Sequence, residues 1–444
     1  MTPFIPGPAY REMLHPETRP AAGIDELDPA NLFNITWRGP EGAVRCVKLP
    51  KELTGIEANI LVLEGRWFPS GSHKVGPAYC TLVEGEMAGE IAPGESRIIG
   101  PSTGNFGIGT AYVSKLKGYP ATVIMPDGMS AERYARIRQY GGDLDLTPGS
   151  ESDVILVLER TEEYKKDARN KILAQFELLP NYRFHRYVTG GSALEAARGH
   201  GNGRIAAFVS APGSAGTLAA GDEIKARFPE AAVCALEPKE CSTLFNCGRG
   251  VHRIEGIGDK MVTLIHNVLT TDYVGLIHDD DCVMGLCLLE RQRPLLEGML
   301  GAAEGAWSGL AGLFGVSGIC NVLGAIRLAR YLKLGAGDNV VTIATDGFDR
   351  YPSVLANLEA RVGTPTEARC GEWFETIFRQ WSAAEILDVR PPEQKQRLFG
   401  YKEEVWTPFG YTRAYLERMQ SQAFWDGELE KIHGIDAAIS GARR

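Results

Sequence analysis

Six short apolar runs, each followed by a turn and most by a helical stretch, constrain this chain more than any other feature. They are Asn59-Ile60-Leu61-Val62-Leu63-Glu64, Ser96-Arg97-Ile98-Ile99-Gly100, Ala121-Thr122-Val123-Ile124-Met125, Ile205-Ala206-Ala207-Phe208-Val209-Ser210, Ala231-Ala232-Val233-Cys234-Ala235-Leu236 and Asn339-Val340-Val341-Thr342-Ile343-Ala344. Runs apolar at both alternating positions have no side meant for water. They predict strands of a mostly parallel sheet covered by helices on both faces. Helices are expected near 76–88, from the turn 101–107 through Leu116, over 151–178, from Thr217, and over 318–333. A further helix follows Ser130, read as its N-cap with Glu132 in the first turn. Two such blocks meeting at a cleft give the expected fold class, a two-domain α/β enzyme. Residues 1–54, rich in proline and charge, read as an irregular arm. The tail 356–444 carries many aromatics, which are expected to pack on the body or on a second subunit.

The net charge of −9 over 444 residues speaks against a nucleic-acid partner, which calls for a basic face. No apolar run approaches the length needed to cross a bilayer, and the first residues lack the basic start and apolar core of a signal peptide. A cytoplasmic location is expected. The nine cysteines are scattered without CxxC spacing, and no suitably placed histidine completes a zinc pattern. They are expected to be reduced, and no metal site is expected. His278-Asp279-Asp280-Asp281 lacks calcium-loop spacing and reads as a helix start with solvated acids.

Four turns carry chemistry. Pro69-Ser70-Gly71-Ser72-His73-Lys74 places a lysine after a tight turn that follows a strand. The alternative is a solvated loop lysine. Burial lowers a lysine's pKa and frees its amine for a Schiff base. Ser102-Thr103-Gly104-Asn105-Phe106-Gly107 opens a helix and offers hydroxyls, an amide and backbone N–H groups to a carboxylate, or is simply a capping turn. Gly213-Ser214-Ala215-Gly216-Thr217 lies between a strand and a helix, where N–H groups and the helix dipole hold a phosphate. It has neither the lysine of a nucleotide-binding loop nor dinucleotide spacing, so a single phosphate suits it better than ATP or NAD. Thr345-Asp346-Gly347 closes a strand at the carboxyl edge of the sheet, where ligands of α/β proteins sit, and a side chain there could face a pyridine nitrogen or only start a turn. Together these turns point to amino-acid chemistry on pyridoxal phosphate.

Taken in order, the motifs resemble the tryptophan synthase β superfamily of pyridoxal-phosphate enzymes (fold type II), in its cysteine synthase and cystathionine β-synthase-like group. Roughly residues 55–355 are covered. The Ser72-His73-Lys74 ending is closest to tryptophan synthase β. Gly118-Tyr119-Pro120 and Met125 to Arg133, Leu236-Glu237-Pro238, His252 to Gly258, Gly315-Val316-Ser317-Gly318 and Asp346 to Tyr351 also find counterparts. The resemblance implies a large domain of 55–84 and 186–355, a smaller mobile domain of 85–185, and a homodimer. It implies that Lys74 carries the cofactor and is the catalytic residue. His73, Asn105, Gly213, Ser214, Ala215, Gly216, Thr217, Gly258, Thr345 and Asp346 are expected at the cofactor. Ser102, Thr103 and Gly104 are expected at the substrate carboxylate. The implied reaction is β-replacement on a serine- or cysteine-derived amino acid through an aminoacrylate. The alternatives are a β-eliminating lyase (dehydratase, desulfhydrase or ammonia-lyase) and, in another class, a non-catalytic regulatory subunit.

The chain also departs from that pattern. Ala215 replaces a glycine, at a cost of about 1 kcal/mol if the position needs positive φ. Phe106 replaces a small polar residue and is expected to reshape the pocket. Arg183-Phe184-His185 stands near where sulfhydrylases place a glutamine, so Arg183 and His185 are expected at the substrate, with Arg183 offering a partner to a second carboxylate. A serine or threonine usually faces the ring nitrogen in this family. Thr345 could do so; were Asp346 to do it, the nitrogen would be protonated.

Overall fold

The computed structural model describes residues 4–17, 23–150 and 153–443. The chain opens with β1 (Cys46–Lys48) and β2 (Asn59–Glu64), then builds β3 (Arg97–Pro101), β4 (Ala121–Pro126), β5 (Asp143–Thr147) and β6 (Asn170–Ile172). It continues through β7 (Ile205–Ser210), β8 (Ala232–Pro238), β9 (Tyr273–Ile277), β10 (Asn339–Ala344) and β11 (Ile386–Asp388). These form a seven-stranded sheet of order β1-β2-β10-β7-β8-β9-β11 and a four-stranded sheet of order β5-β4-β3-β6. All ladders are parallel except the outermost pairs of the larger sheet, β1 with β2 and β11 with β9.

Alternation along β2 shows why the larger sheet is covered on both faces. Leu61 and Leu63 enter one apolar core together with Phe208, Val341 and Ile343. Ile60 and Val62 enter another with Ala207, Val209 and Val340. Every one of these side chains is fully buried. Each large aliphatic one adds about 1.5–3 kcal/mol on leaving water.

The six expected strands form within a residue or two of their sequence bounds. Several other expectations change. The long helix over 151–178 is the shorter Val154–Lys165 followed by β6; residues 151 and 152 lie outside those described. Ser130 stands at the N-cap position of Ala131–Gln139, but its hydroxyl donates to Glu255 Oε2 (3.1 Å) instead of capping. The acids at the start of helix Asp279–Arg291 are paired: Asp279 and Asp280 with Arg253, and Asp281 with Arg327. The arm, of which residues 1–3 and 18–22 lie outside those described, supplies β1 and buries Leu32 and Trp37.

The tail contributes more than a covering. β11 pairs with β9, and Trp406 and Trp425 are fully buried beside Tyr182 and Leu264. Trp425 packs 4.8 Å from the Tyr182 ring, and its indole N–H donates to the Met419 carbonyl (2.9 Å). Trp425→Ala is expected to cost about 3–5 kcal/mol in urea unfolding. A loss below about 1 kcal/mol would mean that the tail is not part of the core.

Candidate active site

The parallel strands β2, β7 and β10 lie side by side, and the turns that leave their carboxyl ends meet. After β2 the chain passes two short 3₁₀ turns and reaches Lys74 at the start of helix Val75–Met87. Ser70 in that turn is forced to φ 63°. Ser72 bridges Asp346, and the His73 N–H reaches the Thr345 carbonyl (3.4 Å), so the lysine turn is fastened to the end of β10. Lys74 is buried, with Nζ 3.4 Å from Ser214 Oγ.

Ser214 belongs to the turn after β7. Its Oγ also accepts from Asn181 Nδ2 (3.0 Å), while its carbonyl accepts from Thr263 Oγ1 (2.8 Å). Ala215 adopts φ 65°, ψ 7°, the left-handed conformation that the glycine replacement called into question. Gly216 is needed for another reason: a Cβ there would lie 2.1 Å from Asn181 Oδ1. Thr217 shares a hydrogen bond with Ser210 (2.8 Å). Gly213 lies against the 252–258 turn, where the Gly258 N–H donates to the Pro212 carbonyl (3.1 Å).

From the smaller sheet, the turn after β3 brings Ser102 to Asn105 to the same place. Ser102 Oγ accepts the N–H groups of Gly104 (3.0 Å) and Gly107 (2.8 Å), which leaves its O–H as the group that can donate. Gly104 is glycine because Arg133 passes close by; a Cβ would lie 1.8 Å from Nη1. That guanidinium donates to the Thr103 carbonyl (3.1 Å) and pairs with Glu255 (2.8 Å). Asn105 begins helix Asn105–Lys117, and its Nδ2 donates to Asp346 Oδ2 (2.6 Å).

Lys74, Asn105, the 213–217 turn, Gly258 and Asp346 therefore converge. Two other residues do not take the places expected of them. Arg183 is held away from Lys74, paired with the partly exposed Glu84 and the buried Glu428, which neutralise it there. It is no free partner for a second substrate carboxylate. His185 is buried behind the 213–217 turn, with Nδ1 on Thr189 Oγ1 (2.9 Å) and its ring 5.0 Å from His73. Phe106 is buried in the apolar core. His73 itself stacks on Trp37 (5.6 Å), and burial, then Lys74, pulls its pKa well below the usual histidine value.

Sequence reasoning also passed over buried side chains beside the site. Asp259, directly after Gly258, is fully buried near Gly213, and its Oδ2 has no hydrogen-bond partner. Burial pushes its carboxyl up to about 7, against the opposing pull of Lys74. An acid immediately after a glycine turn was the signal available in the sequence.

The arrangement fits pyridoxal phosphate. A buried lysine stands beside a glycine-containing strand-to-helix turn, and two buried oxygens, Asn105 Oδ1 and Asp346 Oδ1, have no partner. A family of pyridoxal-phosphate dependent enzymes matches residues 38–346. This chain belongs to that family. The cysteine synthase of Staphylococcus aureus is 30% identical over 313 residues, covering 70% of this chain and 93% of that one. Among solved structures, a hydrogen sulfide-producing enzyme of Fusobacterium nucleatum aligns with TM-score 0.59 at 25% identity, covering 69% of this chain and 95% of the other. The cysteine synthase of Entamoeba histolytica aligns with TM-score 0.65 at 21% identity, covering 83% and 98%, and supports the fold. The chain is thus a pyridoxal-phosphate-dependent enzyme with an α/β fold of the cysteine synthase type.

Two predictions follow from this geometry. Ala215→Gly should stabilise the protein by about 1 kcal/mol in denaturant unfolding, since the methyl opposes a left-handed residue; no gain would mean that the turn relaxes around alanine. For Asp259 the folded pKa lies above the unfolded one, so its contribution is intact below about pH 4 and is lost as pH rises through about 7. The apoprotein of Asp259→Asn should therefore melt at least as high as wild type at pH 8, and a lower melting point would show that the carboxylate has a stabilising partner.

Proposed function

We propose that this enzyme catalyses β-replacement on a serine- or cysteine-derived amino acid, as the curated cysteine synthase relatives are named for doing. The observation that carries this reading is Lys74 Nζ buried beside Ser214 of the anion turn, in a chain 30% identical to a cysteine synthase. In this reading Lys74 would hold the cofactor's carbonyl carbon, residues 213–217 its phosphate, and Asn105 and Asp346 its ring edge. When bound, the cofactor supplies an electron sink for negative charge developing at the substrate's Cα.

The chain's residues do the rest. The Ser102 O–H and the Asn105 N–H receive the substrate carboxylate, with the positive end of helix Asn105–Lys117 behind them. That anchor orients Cα–H toward Lys74, whose Nζ would take the proton once the substrate's amine has replaced it on the cofactor's carbonyl carbon. Burial of Lys74, Asn105 and Asp346 keeps water from the reacting atoms. A dicarboxylic substrate loses its support, because Arg183 is already paired.

A homodimer in the cytoplasm completes the reading. Among the described residues the cysteines are all free, as expected of a reducing compartment, and no helix is long and apolar enough to cross a membrane.

The test is the visible spectrum of purified protein with pyridoxal phosphate, before and after O-acylated serines, serine and cysteine. Wild type should gain an absorption band that shifts with one of these amino acids. Lys74→Ala should lack the band and turn over about 10³-fold more slowly. A colourless wild type indistinguishable from Lys74→Ala would sink the reading.

A further inference from the structure

The carboxylate of Asp346 is held asymmetrically. Oδ2 accepts two hydrogen bonds, from Asn105 Nδ2 (2.6 Å) and from the Tyr351 hydroxyl (2.9 Å). Oδ1 is fully buried and has no partner. The backbone around it is fixed on both sides: Ser72 of the lysine turn bridges Asp346, and the Asp346 carbonyl accepts the Gly315 N–H (3.2 Å) just before helix Val316–Tyr331. A Cβ on Gly315 would lie 2.1 Å from Oδ1, so only glycine lets the backbone pass this close to that oxygen.

Tyr351 is itself held. It accepts from Arg133 Nη2 (3.3 Å) while donating to Asp346, and burial, then the Asp346 charge, pushes its pKa well above the ordinary tyrosine value, so it stays a donor. Arg133 is fully buried and belongs to helix Ala131–Gln139 on the smaller sheet, as Asn105 belongs to the helix after β3. Both donors to Oδ2 are thus set by side chains of that smaller unit, Asn105 directly and Tyr351 through Arg133. The neighbouring hydroxyl, on Thr345, is only half-buried.

A buried carboxylate oxygen without a donor is costly unless a ligand supplies one. Of the cofactor's polar groups, the phosphate and the phenolic oxygen are acceptors and the carbonyl carbon goes to lysine. With the phenolic oxygen ionised, the ring nitrogen is the group left to bring a proton. A hydroxyl can donate to a neutral pyridine, whereas a carboxylate can only accept, so the nitrogen it meets is protonated. We propose that Asp346 Oδ1 takes the protonated ring nitrogen of the cofactor, and that Arg133, acting through Tyr351, is the positioning residue that aims this carboxylate. The inference rests on the cofactor reading above. Its consequence is a stronger electron sink than a hydroxyl partner would give.

The test uses holoenzyme loaded with pyridoxal phosphate labelled with ¹⁵N in the ring. In wild type the nitrogen resonance should lie at the pyridinium position. Asp346→Asn and Asp346→Ser should move it to the unprotonated position and weaken cofactor retention on the order of tenfold. Tyr351→Phe, which removes one hydroxyl, should move it the same way by less. An unprotonated nitrogen in wild type, or a resonance unmoved in both Asp346 variants, overturns the Asp346 assignment while leaving the cofactor reading intact. An unmoved resonance in Tyr351→Phe overturns the relay through Arg133. A wild type that binds no labelled cofactor overturns the cofactor reading itself.

Discussion

Parallel pairing brings the carboxyl ends of neighbouring strands to one edge, and everything this site uses hangs from that edge. The ladder between β2 and β10 matches Asn59 with Asn339 and runs to Glu64 with Ala344. The two strands therefore end level, and the turns that follow them leave together. Ser72 meeting Asp346 is the direct result. On the other side of β10, β7 ends beside it and delivers Ser214 to Lys74. The relative placement of amine, 213–217 turn and carboxylate is thus set by backbone ladders and not by loop preference, which is what a site needs if it is to be held to a fraction of an ångström.

The smaller sheet repeats the device from the opposite side. β3 is central in it, flanked by β4 and β6, and its carboxyl end carries the Ser102–Asn105 turn. Two packing details bind the units at the cleft. Gly109 lets helix Asn105–Lys117 approach the start of helix Val75–Met87, where a Cβ would lie 3.0 Å from Val75 Cα. Arg133 inserts a buried charge that reaches Thr103, Tyr351 and Glu255 at once. A buried guanidinium is tolerable only with such partners, so its presence fixes how the pieces around it lie.

The sequence was most readable where burial is two-sided. β2, β7 and β10 declared themselves because both faces are apolar, and the turns after them kept their order. Strands with one polar face did not. β5, Asp-Leu-Asp-Leu-Thr, is a half-exposed edge strand, and β6, Asn-Lys-Ile, was absorbed into a charged helix because an edge strand of three residues has no apolar signal of its own. The buried lysine, the strand-to-helix turn 213–217 and the left-handed position at Ala215 were legible because each depends on local geometry. The direction of Arg183 was not, since its partners Glu84 and Glu428 lie 99 and 245 residues away along the chain. Asp259 and Tyr351 escaped for a related reason: an acid or a phenol gains its role from what burial does to it, and burial at those positions comes from distant elements.

The arm and tail lie largely outside the family match of 38–346, yet they support its back wall. Trp37 stacks on His73, and its indole donates to Thr189, the same hydroxyl that holds His185. From the last helix, Glu428 pairs with Arg183 and Asp436 accepts the N–H groups of Tyr10 and Arg11, so the two ends of the chain close over the segment 180–189. That segment supplies Asn181, which holds Ser214 Oγ, and His185, which fills the space behind Gly216. These groups are locked from behind, so the arm and tail act by fixing the wall against which the 213–217 turn and Lys74 rest.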